Sequence, residues 1–238
     1  MTRALMRSIV AGCKNFIFLG EAGSGKSEIA INFAQWLAEM KERSVHFFDM
    51  DMTKPLLRSR DARQALEREN ILFHSQEQFM DAPTLVGGVV SSLKNQDRYV
   101  VMDVGGDYIG ARSIGGFAPF INNNDTMVYY VLNVFRPWSC DIGHIDETMG
   151  RILGVSHIAP GKLRMIDNSN NGPTTTKEEF ISGSRRLSDI VSPCAEIDFA
   201  CVREKLYDEV KNELNIPVMP VRLHLTCPWA DPEAESVQ

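Results

Sequence analysis

The chain contains 238 residues, 44% of them hydrophobic and 24% charged, and these ordinary globular values exclude a disordered chain, a collagen and a coiled coil. Its formal net charge of −6 excludes a general electrostatic attraction to nucleic acid or to anionic lipid. We therefore expect one folded domain over residues 1–238 that binds neither nucleic acid nor a membrane.

Short β-rich runs alternate with helix-like segments along the chain. Predicted strands cover 16–19, 45–49, 99–103, 126–133, 163–167, 197–202 and 218–223, and predicted helices include 26–40, 59–69, 84–95, 141–153 and 203–213. Several strands carry consecutive apolar residues, as in "FIFL", which is typical of strands buried on both faces of a sheet. The alternation predicts an α/β fold, a three-layer sandwich with a mainly parallel central sheet.

The first predicted strand runs into the stretch "GEAGSGKS", which satisfies the phosphate-loop pattern GxxxxGK[ST]. Backbone amides of such a loop curl around a phosphate, Lys26 reaches the β- and γ-oxygens, and Ser27 offers a hydroxyl to Mg²⁺. A chance glycine-rich turn is the alternative, but the motif follows a strand and opens a helix, as a phosphate loop requires. We therefore predict that a nucleoside triphosphate is bound. The predicted nucleotide contacts are Gly20, Ala22, Gly23, Ser24, Gly25, Lys26, Ser27 and Glu28.

Two acids follow the second predicted strand in "FFDMDMTKP". Asp49 would lie at the carboxyl edge of the sheet, where it could hold Mg²⁺ or orient an attacking water near the γ-phosphate. Asp51 is a second candidate for the same work. Both residues are also ordinary turn acids before Pro55, and the sequence leaves that alternative open.

The stretch "YVVMDVGGD" predicts a metal-binding acid and a nucleotide-sensing loop. Four apolar residues before Asp103 match the Walker B pattern, in which a carboxylate on a buried strand coordinates the metal. Gly106 completes D-x-x-G, whose glycine amide senses the γ-phosphate in switch-type NTPases, and Gly105 would help the loop to reorganise. Asp107 is a weaker candidate. A strand that simply ends in a glycine turn is the alternative.

Base recognition has two candidates at predicted strand ends. Asn133 ends the strand "VYYVLN" and Asn168 follows "LRMID", and either amide could bind the edge of a purine. Asparagine is also a common turn residue at such places. The sequence contains no NKxD motif, so we predict ATP, with Mg²⁺, in preference to a guanine nucleotide.

Cysteines and arginines give weaker signals. The five cysteines include no CxxC pair, which indicates a reducing, cytoplasmic setting and no metal site within one chain; they are Cys13, Cys140, Cys194, Cys201 and Cys227. Arg58, Arg60 and Arg63 could bind an anionic substrate, although the acids interleaved with them also fit a solvated helix.

With these motifs assembled, the chain resembles the SIMIBI-class P-loop NTPases, the superfamily of MinD/ParA, the nitrogenase iron protein and the CobQ/CobB enzymes. The stretches "FFDMDMTKPLLRSRDAR", "VVMDVGGDYIGAR", "VLNVFRPW" and "IPVMPVRLHLTCPW" are similar to a group of stand-alone ATP-binding proteins of anaerobic bacteria. The resemblance implies an ATPase in which Lys26, Asp49 and Asp103 are catalytic, Ser27, Asp49 and Asp103 bind the metal, and two copies dimerise across the nucleotide.

Two departures from the superfamily limit what the resemblance implies. Glu21 occupies the position of the signature lysine of MinD/ParA proteins, and no cysteines match the pair with which iron-protein relatives bridge a cluster. The tail "DPEAESVQ" also lacks the membrane-binding amphipathic helix of MinD-type proteins. Three functions follow as expectations. The first is an ATP hydrolase that acts as a nucleotide-driven switch on a partner protein. The second is a small-molecule kinase or CobQ/CobB-like ligase with a small anionic substrate. The third is a non-catalytic nucleotide-binding or metallocentre-assembly module, with metal at Cys194 and Cys201 across a dimer.

Overall fold

The computed structural model describes residues 3–10, 12–51, 59–75 and 88–225. Within these ranges eight strands form one sheet: β1 (Asn15–Leu19), β2 (Ser44–Met50), β3 (Ile71–His74), β4 (Arg98–Val104), β5 (Thr126–Leu132), β6 (Leu163–Asp167), β7 (Ile197–Arg203) and β8 (Val218–Val221). The strand order is β3-β2-β4-β1-β5-β6-β7-β8, and every neighbouring pair runs parallel. The predicted parallel sheet is thereby confirmed.

Helices connect the strands. They are α1 (Arg3–Val10), α2 (Lys26–Met40), α3 (Arg63–Arg68), α4 (Val89–Lys94), α5 (Tyr108–Ser113), α6 (Ala118–Ile121), α7 (Ile142–Ser156), α8 (Lys177–Val191) and α9 (Glu204–Val210). Short 3₁₀ turns cover Ser59–Ala62, Gly115–Phe117, Pro137–Ser139 and Pro160–Lys162. In the described part of the chain, no helix has the length and apolar character that a transmembrane span requires.

Both faces of the sheet are buried, because strand side chains alternate between two apolar clusters. Phe16 and Phe18 of β1 pack into a cluster that includes side chains of α1, α2 and α3. Ile17 and Leu19 point the other way, into a cluster that includes side chains of α4 to α8. Consecutive apolar residues in β1 are therefore explained by burial on both sides, and the three-layer α/β sandwich predicted from the sequence is confirmed.

The sequence analysis did not identify strand β3 or helices α1, α5, α6 and α8. The four-residue edge strand β3 leaves Leu72 52% exposed, so it lacks the fully apolar signature of the inner strands. Helix α8 begins with a reciprocal cap, in which the side chains of Thr176 and Glu179 each accept a backbone N–H of the other residue. That T-x-x-E spacing is legible in the sequence. Of the predicted helix 84–95, residues 84–87 lie outside the described ranges.

Strand β1 lies between β4 and β5, although β4 and β5 follow one another in the chain. The connections on either side of β1 therefore leave the sheet in opposite directions, which opens a crevice at the carboxyl ends of the strands. The segment 20–25 follows the carboxyl end of β1 and therefore begins at this crevice. The topology thus places the phosphate-loop motif where ligands bind in open parallel sheets.

Candidate functional site

The loop 20–25 turns sharply through three glycines. Gly20, Gly23 and Gly25 have φ values of +142°, +78° and +88°, which L side chains rarely adopt. A Cβ on Gly20 would stand 2.6 Å from the carbonyl oxygen of Val131 on β5. Helix α2 starts directly after Gly25, which has no side chain with which to cap the N-terminus of the helix. The loop therefore carries backbone amides and the positive end of a helix dipole at the sheet edge, a suitable arrangement for an anion.

Lys26 lies at the start of α2 and is 1% exposed. Its Nζ is 3.8 Å from Oδ2 of Asp51, which follows β2 and is also 1% exposed. A buried ammonium group requires a nearby negative charge, and the carboxylate of Asp51 provides one. Asp51 is therefore an ion-pair partner of the phosphate-loop lysine.

Asp49 and Asp103 occupy equivalent positions on adjacent strands. They are register partners in the β2–β4 pair, and their exposed fractions are 2% and 0%. Oδ1 of Asp49 accepts the backbone N–H of Asp51 at 3.0 Å. Both carboxylate oxygens of Asp103 are buried without a hydrogen-bond partner among the described residues. Such a buried carboxylate suits a divalent cation, because hard cations such as Mg²⁺ take oxygen ligands.

The loop after β4 packs directly on the phosphate loop. A Cβ on Gly106 would stand 2.7 Å from the backbone nitrogen of Ala22 and 3.0 Å from the carbonyl carbon of Glu21. Gly105 is equally confined, since a Cβ there would be 2.9 Å from Cα of Gly110. The side chain of Asp107 accepts the N–H of Gly110 at 2.7 Å and caps α5. Close backbone contact explains the need for glycine at 105, 106 and 110, and Gly110 was not singled out in the sequence.

Asn168 holds the phosphate loop from the opposite side. Its Nδ2 donates to the carbonyl oxygen of Ser24 at 2.7 Å, across 144 positions of sequence. The preceding Asp167 is fully buried and accepts hydrogen bonds from Ser169 and from the hydroxyl of Ser184. Burial raises the pKa of Asp167. The side-chain amide of Asn168 thus already has a structural partner at the loop, whether or not it also contacts a base.

Arg136 is a residue of the site that the sequence analysis did not select. It follows β5, and its Nε donates to the carbonyl oxygen of Gly23 at 3.2 Å. The stretch "VLNVFRPW" contains it, and its position after a strand end was the available signal. A guanidinium group beside the tip of the loop adds positive charge where an anion would bind.

The predicted contact Glu28 lies in the first turn of α2 and is tied to the C-terminal part of the described chain. Its carboxylate accepts the backbone N–H groups of His224 and Leu225 at 2.7 to 3.1 Å. Burial raises the pKa of Glu28 to about 7, against the effect of these hydrogen bonds. Burial also raises the pKa of Glu21, and Lys26 opposes that shift. Both acids are therefore less readily ionised than exposed glutamates.

Other candidates fall into structural positions or outside the described residues. Asn133 accepts the N–H of Phe135 and donates to the carbonyl of Asn170, so it orders the loops at the ends of β5 and β6. Arg63 pairs with Glu67 on the surface of α3, whereas Arg58 and the side chain of Arg60 lie outside the described residues. Cys201 is buried in β7 while Cys194 is exposed, so Cys201 does not present a ligand at the surface.

No protein-family model and no curated protein sequence matches the chain. Among solved structures, the chain is similar to the signal recognition particle receptor FtsY from Elizabethkingia anophelis in complex with GDP. The TM-score is 0.51 at 14% identity, over 82% of this chain and 59% of that one. The cell division protein FtsY from Thermotoga maritima gives a TM-score of 0.54 at 14% identity, over 82% and 64%.

The chain therefore spans less than two thirds of the length of either protein. The comparison confirms the predicted α/β fold with a parallel central sheet, and membership of the SIMIBI class stays a prediction. At 14% identity the likeness concerns the fold alone. Membership of the MinD/ParA or CobQ/CobB groups stays a prediction.

Proposed function

We propose that the chain binds Mg²⁺–ATP at the loop 20–27 and hydrolyses it, and that the nucleotide state acts as a switch on a partner protein. One observation carries the proposal. The glycine loop leads from β1 into the N-terminus of α2, whose N-cap residue is Gly25, and holds the buried ammonium group of Lys26 at the same edge. Main-chain amides, a helix dipole and a lysine together recognise a polyphosphate tail.

In this proposal the nucleotide competes with Asp51 for Lys26. The 3.8 Å separation of Lys26 Nζ and Asp51 Oδ2 supports an exchange of one anionic partner for another. The β- and γ-phosphate oxygens would take the place of the carboxylate. The ammonium group of Lys26 would therefore keep an anionic partner before and after binding.

Asp103 and Ser27 are the residues that would hold Mg²⁺. The two buried oxygens of Asp103, which have no hydrogen-bond partner in the described part of the chain, support this role, and Ser27 carries its hydroxyl in the first turn of α2. When bound, Mg²⁺ neutralises charge on the β- and γ-phosphate oxygens. Asp49 is the register partner of Asp103, and its carboxylate would act as the base that accepts a proton from the attacking water.

Contact between the loop after β4 and the phosphate loop supports a switch. Gly106 lies against the backbone of Glu21 and Ala22, so a movement of either loop would displace the other. Helix α5 follows at once and exposes Tyr108 and Ile109, whose side chains are 60% and 52% accessible. A partner protein bound there would sense the nucleotide through residues 105–107.

The choice of ATP is a part of the proposal with its own test. The absence of NKxD favours ATP, whereas the similar FtsY of Elizabethkingia anophelis was solved with GDP. Measurement of which of ATP and GTP binds more tightly decides between an adenine and a guanine nucleotide. The anionic-substrate and metallocentre alternatives have no support in the described site, and both remain predictions from the sequence.

The test is calorimetric titration of the full chain with ATP and with GTP, each with Mg²⁺, followed by measurement of phosphate release. Replacement of Lys26 by Ala should weaken ATP binding about 10- to 150-fold, because it removes a charge-assisted contact. Lys177→Ala, which removes a surface lysine of α8 paired with Glu213, is the matched control. Equal affinity of Lys26→Ala and Lys177→Ala would refute the proposal. Binding with no phosphate release above the Lys26→Ala rate would refute hydrolysis alone.

A further inference from the structure

Three side chains of the types that bind transition metals meet where α7 begins. Sγ of Cys140 is 3.5 Å from Oδ2 of Asp141 and 3.8 Å from Nδ1 of His144. The same Oδ2 and Nδ1 atoms are 2.6 Å apart. Among the described residues this is the one group of three such ligands within 4.8 Å of one another. It lies outside the residues assigned to the nucleotide.

These separations approach those of one face of a tetrahedral metal site. Zinc bonds of about 2.3 Å to sulfur and about 2.0–2.2 Å to nitrogen or oxygen place tetrahedral ligands about 3.4–3.6 Å apart. The two edges that involve the sulfur already lie close to these values. The imidazole–carboxylate edge needs to open by about 0.8 Å, which an ion between the two atoms would do in place of their hydrogen bond.

Local structure holds the three ligands in place. Oδ1 of Asp141 accepts the backbone N–H of His144 at 3.0 Å and caps α7, which leaves Oδ2 to face the imidazole. Arg186 donates to the carbonyl oxygen of Cys140 at 3.1 Å and fixes the chain before the helix.

We propose that Cys140, Asp141 and His144 bind one zinc-type divalent cation, with water in the fourth position. A thiolate, an imidazole and a carboxylate suit this class of ion, and the half-exposed Asp141 and His144 leave a route to it. Binding replaces the thiol proton of Cys140, which passes to solvent, by a sulfur–metal bond. The sequence concealed the site, because its mixed ligands fit no CxxC pattern.

The ion would be held by the connection that also contacts the phosphate loop. Arg136, which donates to the carbonyl of Gly23, precedes Cys140 by four residues. Metal binding at 140–144 would therefore restrain the segment 136–144, which contacts the phosphate loop through Arg136. The proposal of the metal site does not depend on the proposed ATP binding, and its test contains no nucleotide.

The test is titration of the reduced full chain with Co²⁺, whose thiolate charge-transfer absorption reports a sulfur ligand, followed by competition with Zn²⁺. We expect one Co²⁺ per chain with this absorption. Cys140→Ser should abolish the absorption, and both Cys140→Ser and His144→Gln should weaken binding more than about 10-fold. The cysteine controls Cys194→Ser and Cys227→Ser should bind as the wild type does.

His144→Gln keeps the capping residue Asp141 and serves as the second variant if Cys140→Ser does not fold. Thermal unfolding without metal checks that each variant is folded. Two results would overturn the site. The first is unchanged Co²⁺ binding in Cys140→Ser or, if that variant does not fold, in His144→Gln. The second is the absence of saturable one-to-one Co²⁺ binding to the wild type. In either case Asp141 and His144 are a helix cap and nothing more.

Discussion

Gly106→Ala is the substitution that tests most directly whether the loop after β4 communicates with the phosphate loop. The added Cβ would stand 2.7 Å from the nitrogen of Ala22, and ordinary contacts begin at 3.4 Å. Backbone on one side must therefore retreat by about 0.7 Å, which is the scale of overpacking that costs about 1–3 kcal/mol. The displaced groups include the amide of Ala22, a predicted phosphate contact.

If this cost falls on the nucleotide-bound state, ATP affinity should decrease about 5- to 150-fold. Calorimetric titration with Mg²⁺–ATP measures the change, and thermal unfolding of the nucleotide-free protein measures how much of the cost falls on the fold itself. Gly116→Ala is the matched control, because a Cβ at Gly116 meets nothing within 4 Å. If Gly106→Ala and Gly116→Ala bind ATP alike and are equally stable, the close contact between the two loops has no energetic importance.

Three further substitutions probe the site. Asn168→Ala removes the hydrogen bond to Ser24 and should weaken binding of ATP and GTP equally, by about 2- to 13-fold, if the amide only positions the loop; a changed ATP-to-GTP affinity ratio in calorimetry would instead identify a base contact. Asp103→Asn should raise the free energy of unfolding without Mg²⁺ by about 1 kcal/mol or more, since it replaces a buried carboxylate that has no hydrogen-bond partner among the described residues by an uncharged amide, while Mg²⁺-dependent phosphate release is lost; urea unfolding at low and high Mg²⁺ would contradict this if the variant were less stable in both. For Glu28 the folded-state pKa of about 7 exceeds the ordinary value of 4.5, so its contribution to stability is present below pH 4.5 and declines as the pH rises to about 7. This decline should be missing in Glu28→Gln. Parallel profiles of the free energy of unfolding against pH for the wild type and for Glu28→Gln would contradict the prediction.

The sequence was informative where one residue type is physically required. Positive φ angles at Gly23 and Gly25 admit few residues other than glycine, and a lysine at the start of the following helix completes the pattern. The position of Asp103 could also be predicted, because carboxyl ends of parallel strands meet at one edge and an acid after four apolar residues is conspicuous there.

The contacts of Asn168 and Arg136 could not be predicted in this way. Both are single polar residues in turns, and the carbonyl groups that they bind belong to Ser24 and Gly23, more than one hundred positions away. Such contacts depend on the paths of two loops, which hydrophobic periodicity does not describe. The edge strand β3 was not predicted for a related reason. It has a neighbouring strand on one side only and carries an exposed leucine, so it lacks the apolar pattern of an inner strand.

Asp51 lies between the proposed nucleotide site and the loop after β4, and its side chain could couple the two. Its Oδ2 lies 3.8 Å from Nζ of Lys26, and its Oδ1 would be 3.2 Å from a Cβ at Gly105. The carboxylate therefore pairs with the lysine of the phosphate loop and also borders the space beside the first glycine of the loop after β4. An anion that pairs with Lys26 weakens the hold of the lysine on Asp51, and a shift of that carboxylate changes the space available to residue 105. Coupling of this kind needs no long pathway, because the two loops share a buried charge.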